Sequence, residues 1–478
     1  MLRAASPSIG SPNPVLDHLI ARAGATVPVT PVTEAGLKGW LRRQPRALRA
    51  WVAGAGFAAK PGSHLLVPDG SGAVARVLVG VEAGPDIWSY GGLPAALPEG
   101  AYRIDAALGA AAATRAALGW ALGGYAFTRY RKRERRAARL LWPKAADRAA
   151  VKRTAAAVFL VRDLVNTPAA DMGPAELAAA ARALARAHAA RLRVIVGDAL
   201  LKANYPAVHA VGRASSRAPR LIDLRWGARG PRVTLVGKGV CFDSGGLDLK
   251  SADGMKLMKK DMGGAAHVLA LAGMIMSARL SVRLRMLIPA VENSVSGNAM
   301  RPLDVLGTRK GLTVEIGNTD AEGRLILCDA LAEADREKPD LIVDCATLTG
   351  AARVALGPDL PALFANDDAL AKALLRHGKA EDDPLWRLPL HRPYRRLLDS
   401  KVADLNNISD GPHAGAITAA LFLAEFVDPA TPWVHLDIMA WNGSARPGRP
   451  EGGEAMALRA LYALIAERAA AKAPRPRR

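Results

Sequence analysis

Residues 233–250 read VTLVGKGVCFDSGGLDLK, an apolar run that breaks into glycines and then into charged and hydroxyl side chains. The run has the length and composition of a strand buried on both faces. The Ser244-Gly245-Gly246 turn allows close backbone approach, so polar groups collect at the strand's carboxyl end. Outward from it, 192–196, 232–236, 283–288 and 341–343 read as strands, and 176–190, 265–278 and 416–425 as helices. This alternation predicts a largely parallel sheet covered by helices on both faces. Ligands in such folds meet the carboxyl ends of strands.

With 478 residues, half of them apolar, the chain is too long for one ordinary domain. Before residue 143, β-like runs at 64–67 and 75–81 mix with Ala-rich helical stretches, and the organisation changes near 143–155. The fold class expected is α/β: a smaller N-terminal α/β domain over 1–150, a larger α/β domain with a mainly parallel central sheet over 151–470, and a basic tail at 471–478.

The 65 Lys and Arg against 44 Asp and Glu leave a net charge of +21, so nucleic acid, anionic membrane and acidic ligands all need to be weighed. Much of the excess lies in the N-terminal part, in the tail and in a run at 129–139 that carries seven basic residues around Tyr130. A solvated helix face or interdomain connector is the plainer reading of that run, with nucleic-acid binding as the alternative. Three cysteines, Cys241, Cys328 and Cys345, each in apolar sequence, exclude a disulfide framework and a Cys-rich zinc module, and fit a reducing, cytoplasmic setting. The N-terminal segment lacks the apolar core of a signal peptide. The greasy stretch 106–127 is broken by Arg115 and several Gly, so it reads as a buried or amphipathic helix, and no membrane span is expected.

A second polar cluster, VEIGNTDAEGRL at 314–325, places Asp320, Glu322 and Arg324 at alternate positions, on one face of an extended backbone. Two converging carboxylates raise each other's pKa unless a cation neutralises them, which points to a metal. Asp243 and, in MKLMKKDMGG at 255–264, Asp261 can add two more oxygen ligands. Four carboxylates suit two divalent ions roughly 3.5–4 Å apart, a recurrent hydrolytic device. Lys238, Lys250 and Arg324 are the basic groups of this cluster.

Other readings fail on spacing. A phosphate loop around Lys238 needs Gly at 232 and Ser or Thr at 239, where the chain has Arg232 and Gly239. A dinucleotide fingerprint fails at Phe242. No HExxH exists, and His435 reads as a hydrogen-bonded core histidine. Asp248 and Asp253 read as structural, Lys259 and Lys260 as flanking charges, and the cysteines with Met255 and Met262 as core.

GKGVCFDSGG, Lys250, MKKDMGGAA, NAMRPLDV, NTDAEGRLILCDAL and DCATLTGA occur in the order and approximate spacing of the leucine aminopeptidase (cytosol aminopeptidase) family, and RDLVNTPAADMGP at 162–174 resembles the start of its catalytic domain. The resemblance covers roughly 155–445; the N-terminal third is similar only loosely.

It implies an aminopeptidase that hydrolyses the N-terminal bond of short peptides with a free N-terminus, through a water activated by two metals. One metal would be held by Lys238, Asp243, Asp261 and Glu322, the other by Asp243, Glu322 and the side chain and carbonyl of Asp320. Lys238 would then ligate as the neutral amine. Lys250 and Arg324 would be catalytic, with a bicarbonate at Arg324 as general base, since every motif carboxylate is committed to metal. Met258, Thr347, Leu348 and Gly350 match substrate-binding positions, while HLDIMAWNG has Met439 where many relatives have Ala, which implies a shallower pocket. The ligand set suits Zn²⁺ or Mn²⁺ and admits Mg²⁺ or Co²⁺. The family also implies a homohexamer built as two trimers, and a secondary DNA-binding role on the same scaffold stays as the alternative. A two-metal phosphoesterase is the third class, opposed by NTDAEGR and the ligand lysine.

Overall fold

The computed structural model describes residues 17–471, so the first sixteen residues and the expected basic tail beyond Ala471 lie outside the described residues. Among the described residues the chain divides into two compact units, one of 17–159 with Ser444–Glu451 and one of Leu160–Gly443 with 452–471. The return of Ser444–Glu451 to the first unit is not visible in the sequence, because so short a segment carries no periodicity.

In the first unit a six-stranded sheet runs in the order Leu19–Ile20, Arg139–Leu141, Ala101–Ile104, Val27–Val32, Val74–Gly80, His64–Pro68. Its pairs are parallel except the last, between His64–Pro68 and Val74–Gly80. The apolar stretch at 106–127 becomes the buried helix Ala110–Gly123. A Cβ at Gly119 would lie 1.7 Å from the Ile87 carbonyl oxygen and one at Gly123 would lie 1.8 Å from that of Gly91, so the helix packs directly on a neighbouring backbone. Among the described residues no helix is long and apolar enough to cross a membrane. The basic run is not a helix face. It forms no regular element until Arg139 opens a strand, and Arg133 and Arg135 donate to the carbonyls of Gly124, Ala95 and Leu97.

In the second unit the strands follow the order Trp386–Arg387, Ala362–Ala365, Trp433–Asp437, Leu341–Ala346, Arg232–Gly237, Arg283–Asn293, Arg220–Trp226, Arg191–Val196, and Gly239–Asp243 also pairs with Arg283–Asn293. The four central strands, Trp433–Asp437 to Arg283–Asn293, are mutually parallel, and antiparallel pairs flank them on both sides. Val236 and Gly237 are successive strand residues and face opposite sides. Val236 shares a core with Leu325, Leu327 and Leu331 of the helix Glu322–Asp335. A Cβ at Gly237 would lie 2.7 Å from Ala265 Cα, in the helix Gly263–Ser277, so helices cover both faces.

Gly263–Ser277 also carries a buried histidine whose tautomer follows from its partners. His267 Nδ1 lies 2.6 Å from the Gly263 carbonyl oxygen, which can only accept, so Nδ1 carries the proton and Nε2 accepts the Met456 N–H at 2.9 Å. Burial pulls its pKa down to about 4. Between that value and the ordinary 6.5 the unfolded chain binds a proton that the folded chain refuses, so stability is complete above 6.5 and is lost as pH falls. At pH 5 the loss relative to neutral pH is about 2 kcal/mol. His267→Gln keeps an acceptor but does not titrate. Urea unfolding at pH 5 and pH 7.5 should show a wild-type stability drop about 2 kcal/mol larger than the variant's; equal drops would refute the assignment.

Candidate metal centre

Lys238 follows the central strand directly, between Arg232–Gly237 and Gly239–Asp243. Its N–H donates to the Cys345 carbonyl and its own carbonyl accepts from Ala265, so the side chain is anchored between a neighbouring strand and a helix start. Gly239–Asp243 then pairs with the far end of Arg283–Asn293, setting Asp243 opposite Asn293. Gly245 at φ +91° and Gly246 at φ +68° turn the chain back through conformations that side-chain-bearing residues rarely adopt. Asp261 sits in the short 3₁₀ segment Met258–Met262, just before the buried helix.

The extended-backbone reading of Asp320, Glu322 and Arg324 does not hold. The strand Thr313–Glu315 has ended, and Glu322 opens the helix Glu322–Asp335, where an acidic first turn suits the helix dipole. Residues two apart on a helix project about 200° from each other. Glu322 therefore meets Lys238, whereas Arg324 Nη1 donates 2.6 Å to the Asn407 carbonyl. Gly323 permits this closure, because a Cβ there would lie 2.5 Å from Lys238 Cε.

The result is a cluster of four carboxylates and two ammonium groups. Lys238 Nζ lies 2.8 Å from Asp261 Oδ2, 2.9 Å from Glu322 Oε1 and 3.0 Å from the Thr347 carbonyl oxygen. Lys250 Nζ lies 3.0 Å from Asp243 Oδ2 and also pairs with Asp320 Oδ1. Asp243 Oδ1 is fixed by the Gly245 N–H and the Asn293 amide, each at 2.9 Å. Thr347 Oγ1 donates to Asp261 Oδ1 at 2.6 Å.

Burial opposes charge on Lys238, but Asp261, Glu322 and Asp243 outweigh it and raise its pKa above the ordinary lysine value. Burial and then Asp261 raise Asp243 to about 6, and burial and then Asp243 raise Glu322 well above the usual range. Burial also favours the neutral form of Asp261, yet Lys238 and Lys260 prevail and lower its pKa. Carboxylates this close repel each other strongly, and cations relieve the repulsion.

A metal fits these residues. Asp243, Asp320 and Glu322 each offer an oxygen within 4.8 Å of the others. Asp261 Oδ2, Asp320 Oδ1 and Glu322 Oε1 are buried oxygens without a well-directed hydrogen-bond donor. Carboxylate oxygens with one amine nitrogen suit a divalent ion of intermediate hardness.

The remaining sequence candidates have varied surroundings. Leu348 packs partly against the core, its N–H held by Asp437, and Gly350 opens the helix Gly350–Leu356. Met258 is partly buried at the start of the segment bearing Asp261. Met439 precedes Ala440, which, with Thr347, lies beside Gly263. Asp248 is structural: it accepts from the Thr319 N–H at 2.7 Å while its own N–H donates to Thr319 Oγ1. His435 is a core histidine 2.5 Å from Asp344, and all three cysteines are buried. Lys260 is not a surface flanking charge; it is buried, and burial followed by Arg353 lowers its pKa to about 8. Asn293, Asp437 and Asn407 hold the cluster from outside and carry no signal in the sequence, because they lie in segments with no distinctive spacing.

Residues 159–462 match the model of the cytosol aminopeptidase family, catalytic domain, and 27–143 match that of the M17 aminopeptidase N-terminal domain. A protein named "Probable cytosol aminopeptidase" from Caulobacter vibrioides is 38% identical over 453 residues, covering 88% of this chain and 91% of its own length. The crystal structure of a cytosol aminopeptidase from Coxiella burnetii is similar with a TM-score of 0.90 and 51% identity over 94% of this chain and 99% of its own. The bottromycin maturation enzyme BotP in complex with Mn matches at a TM-score of 0.84 and 36% identity, covering 93% and 100%.

Proposed function

This chain belongs to the cytosol aminopeptidase family, and on that premise we propose that it releases single residues from the free N-termini of short peptides, using two divalent ions held by Lys238, Asp243, Asp261, Asp320 and Glu322. As a member it is a leucyl aminopeptidase-like hydrolase. The observation that carries the two-ion reading is the convergence of three carboxylates within 4.8 Å, with buried oxygens that lack directed donors. The Mn complex of the similar BotP structure favours Mn²⁺, with Zn²⁺, Mg²⁺ and Co²⁺ also compatible with the ligands.

Bound divalent ions would supply an acidified water and a Lewis acid for the scissile carbonyl. Lys238 would give up its proton and ligate through the neutral amine, with the Thr347 carbonyl and Asp261 orienting it. Asp261, held by Thr347, would face the substrate's free amine. The Lys250 ammonium, whose side chain is 15% exposed, would turn from Asp243 and Asp320 to the substrate carbonyl as that oxygen gains charge. With the carboxylates committed, general-base work falls to an anion such as bicarbonate beside Arg324, whose buried Nε has no hydrogen-bond partner. Thr347, Leu348 and Gly350 would contact the substrate backbone, with Met258 lining the side-chain pocket. The reading extends to a cytoplasmic homohexamer of two trimers, which sedimentation analysis would test.

Anchoring by the free amine makes the chemistry exclusive to N-termini. Leucine amide should be hydrolysed and N-acetyl-leucine amide left intact; equal rates on both would overturn the mechanism. Met439 borders the same region, so Met439→Ala should deepen the pocket and raise the leucyl over alanyl kcat/KM ratio by about 10-fold. An unchanged ratio in aminoacyl p-nitroanilide assays would place Met439 outside the pocket.

A further inference from the structure

On one face of the large unit's sheet three arginines stand in a row across neighbouring antiparallel strands: Arg191 lies opposite Arg225, and Arg225 opposite Arg285. Arg193 lies opposite Asp223 and shares that face. Like charges directly opposite each other destabilise a sheet, so the row requires anions. Asp223 and Glu333 each lie 2.7 Å from Arg285 Nη2, and Glu337 lies 2.6 Å from Arg225 Nη2. Arg309 and Arg336 also draw on Glu333, so four guanidiniums share three carboxylates in a group of six. The side chains of Arg191 and Arg193, exposed on the edge strand, have no hydrogen-bond or ion-pair partner among the described residues.

These six arginines line a cavity of about 450 Å³. Its volume is that of a small-molecule site. The Arg309 guanidinium lies 4.3 Å from the ring centre of buried Tyr205, which fixes one wall. Glu333 is eleven residues beyond Glu322 on the helix Glu322–Asp335, which puts the cavity about 16 Å along that helix from the metal centre.

We propose that this cavity binds a small molecule through a diphosphate group. Guanidiniums pair in bidentate fashion with phosphate oxygens, and two joined phosphates carry roughly the three negative charges needed to balance the surplus. Edge arginines alone would discourage strand addition. That role does not call for a second and third arginine on the inner strands, nor for a cavity beneath them.

Calorimetric titration of the metal-loaded enzyme with inorganic pyrophosphate and with adenosine diphosphate tests this, using the wild type and the double variant Arg191→Gln/Arg193→Gln. Both arginines are exposed and unpaired, so the variant keeps the fold. Its hydrolysis of leucine amide should be unchanged. Saturable pyrophosphate binding to the wild type, at least 10-fold weaker in the variant, is the expected result. Heat from metal sequestration would be the same in both proteins and cancels in the comparison. Equal affinity for the two ligands would assign recognition to the diphosphate alone, and tighter nucleotide binding would assign it to a nucleoside-borne diphosphate. Absence of saturable binding to the wild type, or equal binding by both proteins, would overturn the proposal and leave the arginines as guards of the sheet edge.

Discussion

Glu322→Ala is expected to lower kcat/KM by about 10⁴-fold, because both metals lose affinity together. Its carboxylate is buried, converges with those of Asp243 and Asp320 and meets Lys238 through Oε1, so with Asp243 it is one of the two proposed ligands that both ions would share. Losing it would remove the acidified water and the carbonyl's Lewis acid at one stroke, and each is worth orders of magnitude. The substitution also leaves Lys238 with one carboxylate fewer in a buried setting, which is destabilising. Glu322→Gln preserves the volume and an oxygen beside the lysine, and separates folding from metal loss. Metal analysis after gel filtration decides the matter. Two tightly held ions per chain in either variant would show that Glu322 does not bridge.

Lys250→Ala should behave differently, with kcat reduced by about 10²–10³-fold and metal content retained. The Lys250 ammonium lies on Asp243 and Asp320, two of the proposed ligands, and its burial is incomplete. An ammonium in that position competes with a dication for the same oxygens. Removing it should leave metal affinity equal or higher, while the developing charge on the substrate carbonyl loses its donor. A variant that loses both metals would make Lys250 part of the binding site and not of the catalytic step. Lys250→Arg, which keeps the charge but changes the reach, should recover little of the rate if donor placement decides it.

Much of the large unit is legible in the sequence. VTLV before Lys238 and LIV at 341–343 read as buried strands because they are short, apolar and bounded by turns, and the helix Gly263–Ser277 reads, as 265–278, from its largely apolar composition. The residues of the cluster were legible because carboxylates and lysines crowd the sequence that follows VTLV and the VEI run at 314–316. Their geometry was not. The helix at Glu322 starts earlier than local patterning shows, since TDAEGR suits an extended strand end as well as a helix start. Asn293 ends a strand longer than its apolar pattern predicts, and its position opposite Asp243 is a matter of register. Register is long-range information. The arginine row has the same origin: Arg191, Arg225 and Arg285 are distant in sequence and become neighbours only through strand pairing.

The central claim is that this carboxylate and lysine cluster works as a two-ion centre. It is tested most directly by preparing the chain free of metal by chelation and titrating it with Mn²⁺ while following ammonia release from leucine amide. The account predicts no hydrolysis by the metal-free protein and a return of activity that levels off at two ions per chain. Full activity without metal, or a plateau at one ion, would contradict it.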